Sequence, residues 1–303
     1  MQSPFNQRFP EKMTKDGGLT MRMLIIAADG QLGTDAVSYF SKKYDVSAFK
    51  TADMDVTDPI RVNGAILAVK PDAVLNCAAM TNVDGCESQA EQAYRVNAYG
   101  AGLVALAAAR VGAHLVHIST DYVFAGDGSR PYVETDSPDP QNVYGASKLS
   151  GERHVQALCP NSAILRTAWL YGPHGNNFVK TMLKLAEKGE VGVVTDQVGN
   201  PTSTFELIRM IDAVVACKST GIFHATCEGV VSWNGFAREI FRLAGVEVNV
   251  KDVTSEEFVR PAHRPAYSVL SKDKIAAVTG YRPADWQDAL REYFDYQAGK
   301  IDF

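Results

Sequence analysis

The sequence predicts an α/β fold, a doubly wound parallel sheet with a smaller α+β lobe, and three observations carry that reading. Short apolar runs alternate with longer amphipathic stretches; a turn of small residues joins the first run to the first helix; the alternation loosens after about residue 170. Short buried strands separated by helical patterns denote βαβ units, whose sheet is parallel and covered on both faces. Right-handed crossovers are expected.

In order, Met23–Ala27 is the first strand, followed by a glycine turn and an amphipathic helix to Phe40. Val46–Phe49 and Ile60–Val69 are the second strand and helix, Ala73–Cys77 the third strand, and Gln89–Arg110 a long Ala-rich helix. Leu115–Ser119 is the fourth strand, and Ile164–Thr167 the fifth, after a helix around Tyr144–Leu158. Beyond residue 170, helices are expected at Asn177–Lys188, Phe205–Cys217, Ser232–Ala244 and Asp285–Tyr296, with short strands between them and denser turn chemistry (Gly172-Pro173, Asn200-Pro201, Arg264-Pro265). Residues 1–21 are polar and aperiodic and read as a disordered extension. The predicted division is 22–170 for the first domain and 171–303 for the second lobe, with some segments returning to the first domain.

Composition narrows the function. The 303 residues are 46% hydrophobic and 21% charged, with a net charge of -5 and interspersed signs, which argues against nucleic-acid or anionic-membrane binding. No apolar run is long enough for a membrane span and no secretory h-region opens the chain. The five cysteines form no C-x-x-C pair and read as reduced residues of a cytoplasmic protein.

The turn Ala27-Ala28-Asp29-Gly30-Gln31-Leu32-Gly33 suits a dinucleotide: small residues admit the pyrophosphate, and the helix N-terminus attracts it. This makes the first domain a Rossmann-type dinucleotide-binding unit, although any tight strand-to-helix turn has the same needs. Lys50 ends the second strand where an acid often takes the ribose hydroxyls, so the sequence leans to NADPH over NADH; Asp53 and Asp55 follow closely, and Asp53 could still serve the hydroxyls.

Tyr144 and Lys148 are four residues apart on one helix face. A fixed cation beside a phenol lowers its pKa and makes it a usable acid, so the spacing predicts a lowered Tyr144 pKa. Thr120 stands at the carboxyl end of the fourth strand, where ligands bind on such sheets, placed to hydrogen-bond a substrate oxygen. The third strand ends in Asn76-Cys77-Ala78-Ala79, leaving room for a flat ring.

Gly30-x-x-Gly33, Asn76-Cys-Ala-Ala79, Ser119-Thr-Asp-Tyr-Val-Phe124 and Tyr144-x-x-x-Lys148 together resemble the extended short-chain dehydrogenase/reductases. Arg166-Thr-Ala-Trp-Leu-Tyr171, Gly175-Asn-Asn-Phe178, Asp196-Gln-x-Gly-x-Pro-Thr202, Arg264-Pro-Ala-Tyr-Ser-Val-Leu270 and Pro283-x-Asp-Trp286 narrow the resemblance to the dTDP-4-dehydrorhamnose reductase family, over residues 22–296. The resemblance implies reduction of a dTDP-4-keto-6-deoxyhexose by NADPH or NADH, with Thr120, Tyr144 and Lys148 as the catalytic trio. It implies cofactor contacts at Gly30, Gln31, Leu32, Lys50, Asp55, Val56, Ala78, Ala79, Met80, Tyr144 and Lys148. Substrate contacts are expected at Thr120, Asp121, Trp169, Asn176, Asn177 and Arg264, the last being equally suited to a surface ion pair. Three departures stand out: Ala27 replaces the first turn glycine, Met80 a usual His or Tyr, and Cys77 a usual Ala.

Two other readings use the same residues. A 4-epimerase holds NAD through turnover, and a non-catalytic nucleotide-binding subunit, like the regulatory subunit of methionine adenosyltransferase, resembles these reductases too. A 4,6-dehydratase lacks its second acid, because Tyr122 follows Asp121. No metal-ligating cluster, nucleophile elbow or P-loop is present, and nothing indicates Mg²⁺, which stays open as a peripheral ion. A nucleotide sugar is the expected partner, and a homodimer the expected assembly.

Overall fold

The computed structural model describes residues 20–303. The extension expected at 1–21 therefore lies, up to residue 19, outside the described residues, while Met21 packs against the core and its carbonyl accepts from Asp45 N at 3.0 Å.

The first half of the chain runs β1 (Arg22–Ile26), α1 (Gln31–Phe40), β2 (Asp45–Phe49), α2 (Pro59–Val69), β3 (Ala73–Asn76), α3 (Val83–Ser88), α4 (Ala90–Tyr94), a π-helical turn (Arg95–Gly100), α5 (Ala101–Val111), β4 (His114–Thr120), α6 (Val143–Leu158) and β5 (Ser162–Thr167). The second half runs β6 (Leu170–Tyr171), α7 (Phe178–Ala186), β7 (Glu190–Val194), β8 (Val198–Gly199), β9 (Thr202–Ser203), α8 (Thr204–Cys217), β10 (Gly221–His224), β11 (Val231–Ser232), α9 (Trp233–Ala244), β12 (Asn249–Val253), α10 (Asp273–Thr279) and α11 (Trp286–Gln297). Local chemistry sets many of these starts. Asp58 caps α2 by accepting from Ile60 N and Arg61 N, with Pro59 fixed at the first helical position, and Asn142 caps α6 through Gly145 N.

Six strands form one parallel sheet in the order β2-β1-β3-β4-β5-β10. In β1, Met23 and Ile25 join α1, α8 and Phe223 on one face, while Leu24 and Ile26 join α2, α5 and Val155 on the other. Helices on both faces explain why β1 is apolar without alternation. A second core, around Tyr171, Phe236, Trp286 and Tyr293, lies among α7, α9 and α11. The chain does not divide cleanly in sequence: α8 packs on α1, and β10 pairs with β5 of the first sheet.

The long helix expected at Gln89–Arg110 is interrupted. The π-helical turn holds Asn97 buried, and the Asn97 carbonyl packs so closely on α6 that a Cβ on Gly151 would lie 2.1 Å from it. π-turns of this kind recur at functional sites, and nothing in an Ala-rich pattern announces one.

Ala27 adopts φ +56°, the left-handed region. A side chain there is strained, which is why a glycine is expected at this place. Ala27→Gly is expected to stabilise the protein by about 0.5–1 kcal/mol, the strain relieved exceeding the extra chain entropy of glycine. Urea unfolding of the two proteins measures it; an unchanged or lower midpoint would show the turn to be unstrained.

Candidate active site

The strand order reverses between β1 and β3, because β2 lies to one side of β1 and β3 to the other. A crevice opens at such a switch point, beyond the carboxyl ends of the strands. There the structure has a cleft of ≈ 690 Å³. Gly30, Gln31, Leu32, Asp55, Val56, Ala78, Ala79, Thr120, Asp121, Tyr144, Lys148, Trp169 and Asn176 all line it, so residues from both halves of the chain meet in one place.

At one end is the N-terminus of α1. Gly30 is its N-cap and no side chain caps the helix, which leaves that end free for an anion. The helix sits tightly on the turn: a Cβ on Gly33 would lie 2.1 Å from the Ala27 carbonyl. This small-residue, uncapped cradle fits a dinucleotide pyrophosphate.

The same cleft is lined by the trio. A Cβ on Gly145 would lie 2.1 Å from the Tyr122 carbonyl, so α6 is seated directly against the turn after β4 and brings Tyr144 to Thr120. Burial pushes the Tyr144 phenol well above its ordinary value; a hydrogen bond with Thr120 opposes this, and the Asp121 carboxylate adds to it. The lowered phenol expected from the Tyr144/Lys148 spacing is therefore corrected. The two side chains both line the cleft, but Lys148 Nζ donates to the Ile118 carbonyl at 2.6 Å, and burial is the largest influence on the phenol. Lys148 itself is drawn down to about 8 by burial, against the pull of Glu152. Asp121 is pushed up to about 7, again by burial, against the Thr120 hydrogen bond and the nearby Ser268 hydroxyl, whose own bond goes to the Val198 carbonyl. Cys77 is pushed up to about 12 by burial, which makes it a packed thiol and not a nucleophile.

Beneath the trio, Glu152 and Arg166 form a buried pair, Nε–Oε1 2.9 Å and Nη2–Oε2 2.7 Å, each 1% exposed. Ser119 also donates to Glu152 Oε1, at 2.6 Å. Asn97, in the π-turn, accepts from Met80 N at 2.8 Å and donates to Ser147 Oγ at 3.0 Å, tying the end of β3 to the Tyr144–Lys148 turn.

Four expected contacts stand apart from the lining. Lys50 is exposed at the end of β2, beside the Thr51–Asp29 hydrogen bonds. Met80 is half-buried, its backbone clamped by Asn97. Asn177 caps α7 and donates to Gln31 Oε1 at 3.0 Å, a link between the lobes. Arg264 pairs with Asp84 at 3.0 Å and donates to the Tyr122 hydroxyl at 3.2 Å, so it stands one layer behind the cleft wall. Trp169 lines the cleft but stacks face to face on Trp233, centroids 3.5 Å apart and planes 6° apart, so one face of the indole is covered by protein, and Gly199 packs against its six-membered ring.

The sequence matches the family described as RmlD substrate binding domain over residues 21–298. It is 43% identical to the spore coat polysaccharide biosynthesis protein SpsK of Bacillus subtilis, over 93% of this chain and 99% of that one. To the dTDP-4-dehydrorhamnose reductase of Aggregatibacter actinomycetemcomitans it is 40% identical, over 91% and 99% respectively. A crystal structure of the Bacillus anthracis dTDP-4-dehydrorhamnose reductase in complex with NADP superposes with a TM-score of 0.90 at 39% identity, covering 91% of this chain and 99% of that one. The chain belongs to the dTDP-4-dehydrorhamnose reductase family.

The dTDP-4-dehydrorhamnose reductase family and its fold class are thus those the motifs implied. Three structural participants were missed by sequence reasoning. Asn97 lies in an unremarkable Ala-rich run; Trp233 starts a helix far along the chain; and the Glu152–Arg166 pair joins positions that look separately like a surface acid and a strand-end base. Only Trp233 carries a signal, being one of three tryptophans.

Proposed function

We propose that this protein reduces the C4 ketone of a dTDP-4-keto-6-deoxyhexose, converting dTDP-4-dehydrorhamnose to dTDP-L-rhamnose with NADPH or NADH, a step in nucleotide-sugar and cell-surface polysaccharide biosynthesis. One observation carries the reading: Thr120, Tyr144 and Lys148 converge on the cleft that also holds the uncapped end of α1. The bound reduced nicotinamide supplies the hydride. All seven line the cleft: Gly30, Gln31 and Leu32 would receive the pyrophosphate, Ala78 and Ala79 would leave room for the ring, and Asp55 and Val56 would border the ribose. Tyr144 holds the proton that the carbonyl oxygen takes, Thr120 orients that oxygen, and the buried Lys148 keeps a positive charge within the site. Trp169 and Asn176 also line the cleft and would flank the sugar. Arg264 supports that wall through Tyr122.

Purified protein mixed with NADPH and the keto sugar is expected to oxidise one dinucleotide per sugar reduced. A C4-inverted sugar formed with no net dinucleotide oxidation would make it an epimerase, and binding without turnover a regulatory subunit. Lys50→Ala is expected to cut the preference for NADPH over NADH about fivefold, the worth of an exposed charge pair near 1 kcal/mol; an unchanged ratio of kcat/KM values would remove Lys50 from the cofactor site. The proposal includes a cytoplasmic location, supported by the five free cysteines. No described helix is long and apolar enough to cross a membrane. Light scattering tests the expected homodimer.

A further inference from the structure

Thr120 is committed in a way that its proposed role does not permit. Its hydroxyl donates to Asp121 Oδ1 at 2.9 Å and accepts from Tyr122 N at 3.2 Å, and its remaining hydrogen-bonding neighbour is the Tyr144 phenol. A hydroxyl has one proton, so while Asp121 takes it, none points at a substrate carbonyl. Asp121 is 3% exposed, and its other oxygen, Oδ2, is buried with no hydrogen-bond partner. A buried carboxylate oxygen without a partner disfavours the ionised form.

We propose that Asp121 is a positioning residue that works as a neutral carboxylic acid: its O–H donates to Thr120 Oγ1 and turns the threonine proton toward the substrate carbonyl. No covalent step is involved; the acid keeps its proton, and only the direction of the Thr120–Asp121 hydrogen bond reverses. This rests on the reductase reading above. Neutral Asp121 also removes the carboxylate that raises the phenol of Tyr144, so one protonation prepares both groups that face the oxygen. The shift of Asp121 to about 7 places the change within the working pH range. The titratable and charged groups around it are Tyr122 on its own turn, Tyr144 from α6, and Arg264 and Asp84 beside Tyr122; Lys148 lines the same cleft, with its ammonium on the Ile118 carbonyl. Tyr122 and Tyr144 both stay protonated across this range, because burial raises each. Asp121 is thus the group whose titration changes the wiring of Thr120.

The test combines a carboxyl titration by ¹³C NMR on aspartate-labelled protein with pH profiles of kcat/KM. One carboxyl signal titrating near 7 and missing from Asp121→Asn is expected. Wild-type kcat/KM should fall about tenfold per pH unit above that midpoint, following the neutral fraction. An amide permanently donates, so Asp121→Asn should lose the limb near 7 and keep only the later fall that Lys148 sets near 8, running below wild type at the acid end and above it beyond the wild-type midpoint. Ser268→Ala removes a neighbouring hydroxyl that favours the carboxylate and should move both the NMR midpoint and the limb near 7 to higher pH. An Asp121 signal in the ordinary carboxylate range, or an alkaline limb unmoved by Asp121→Asn in a protein with a wild-type near-ultraviolet spectrum, overturns the inference. Failure of the wild type to turn over any keto sugar is a different result: it sinks the reductase reading, while the NMR midpoint still reports whether Asp121 is neutral.

Discussion

Tyr144→Phe is expected to lower kcat by about 10²- to 10⁴-fold, the range for loss of a positioned general acid. The ring remains, so its edge-on contact with Tyr122 and the wall of the cleft persist; only the hydroxyl and its hydrogen bond with Thr120 go. Dinucleotide affinity, followed by fluorescence, should therefore stay close to wild type while the chemical step collapses. That split separates a lost acid from a lost fold. If Tyr144→Phe turned over as fast as the parent, another group would be the proton source, and Thr120, the next hydroxyl in the chain, would be the first to examine. The raised phenol bears on the size of the effect. A buried phenol gives up its proton readily only to a strong base, and an alkoxide formed in the same dry cleft is one.

The second large effect is on stability. Glu152→Ala is expected to cost about 3–5 kcal/mol, because it leaves a buried guanidinium without its counter-charge. Arg166 is 1% exposed and has both its bidentate bonds on this carboxylate, and Ser119 would lose its acceptor as well. Replacing both charges, Glu152→Leu with Arg166→Met, should recover most of the loss, since a paired charge and an apolar pair of similar volume are often close in stability. Urea unfolding of the three variants measures the coupling. A single-variant loss under about 1 kcal/mol would mean that water reaches the pair. Activity should suffer too: Glu152 holds the Lys148 pKa up, so without it the ammonium falls below about 8 and is less charged at neutral pH.

Much of this was legible before any coordinates. Each expected strand of the first sheet is present within a residue or two, because β1, β3, β4 and β5 are buried on both faces and such strands announce themselves as apolar runs. The helices of the second half of the chain begin at residues with an obvious cap, such as Asn177, Ser203, Ser232 and Asp285. The Tyr144/Lys148 face follows from helical spacing alone.

Other features belong to the folded chain only. The Asn97 bulge exists because α6 approaches so closely at Gly151, a contact between segments some fifty residues apart. Arg264 stands on Asp84 and not in the cleft because the loop that carries it crosses α3, and Trp169 gives one face to Trp233 from the far end of the chain. The protonation of Tyr144, Lys148 and Asp121 was decided the same way. Residue type and spacing determined which groups could meet, since those depend on backbone periodicity. Their charge states were left to the tertiary structure, because desolvation depends on everything that surrounds a group and not on its neighbours in sequence.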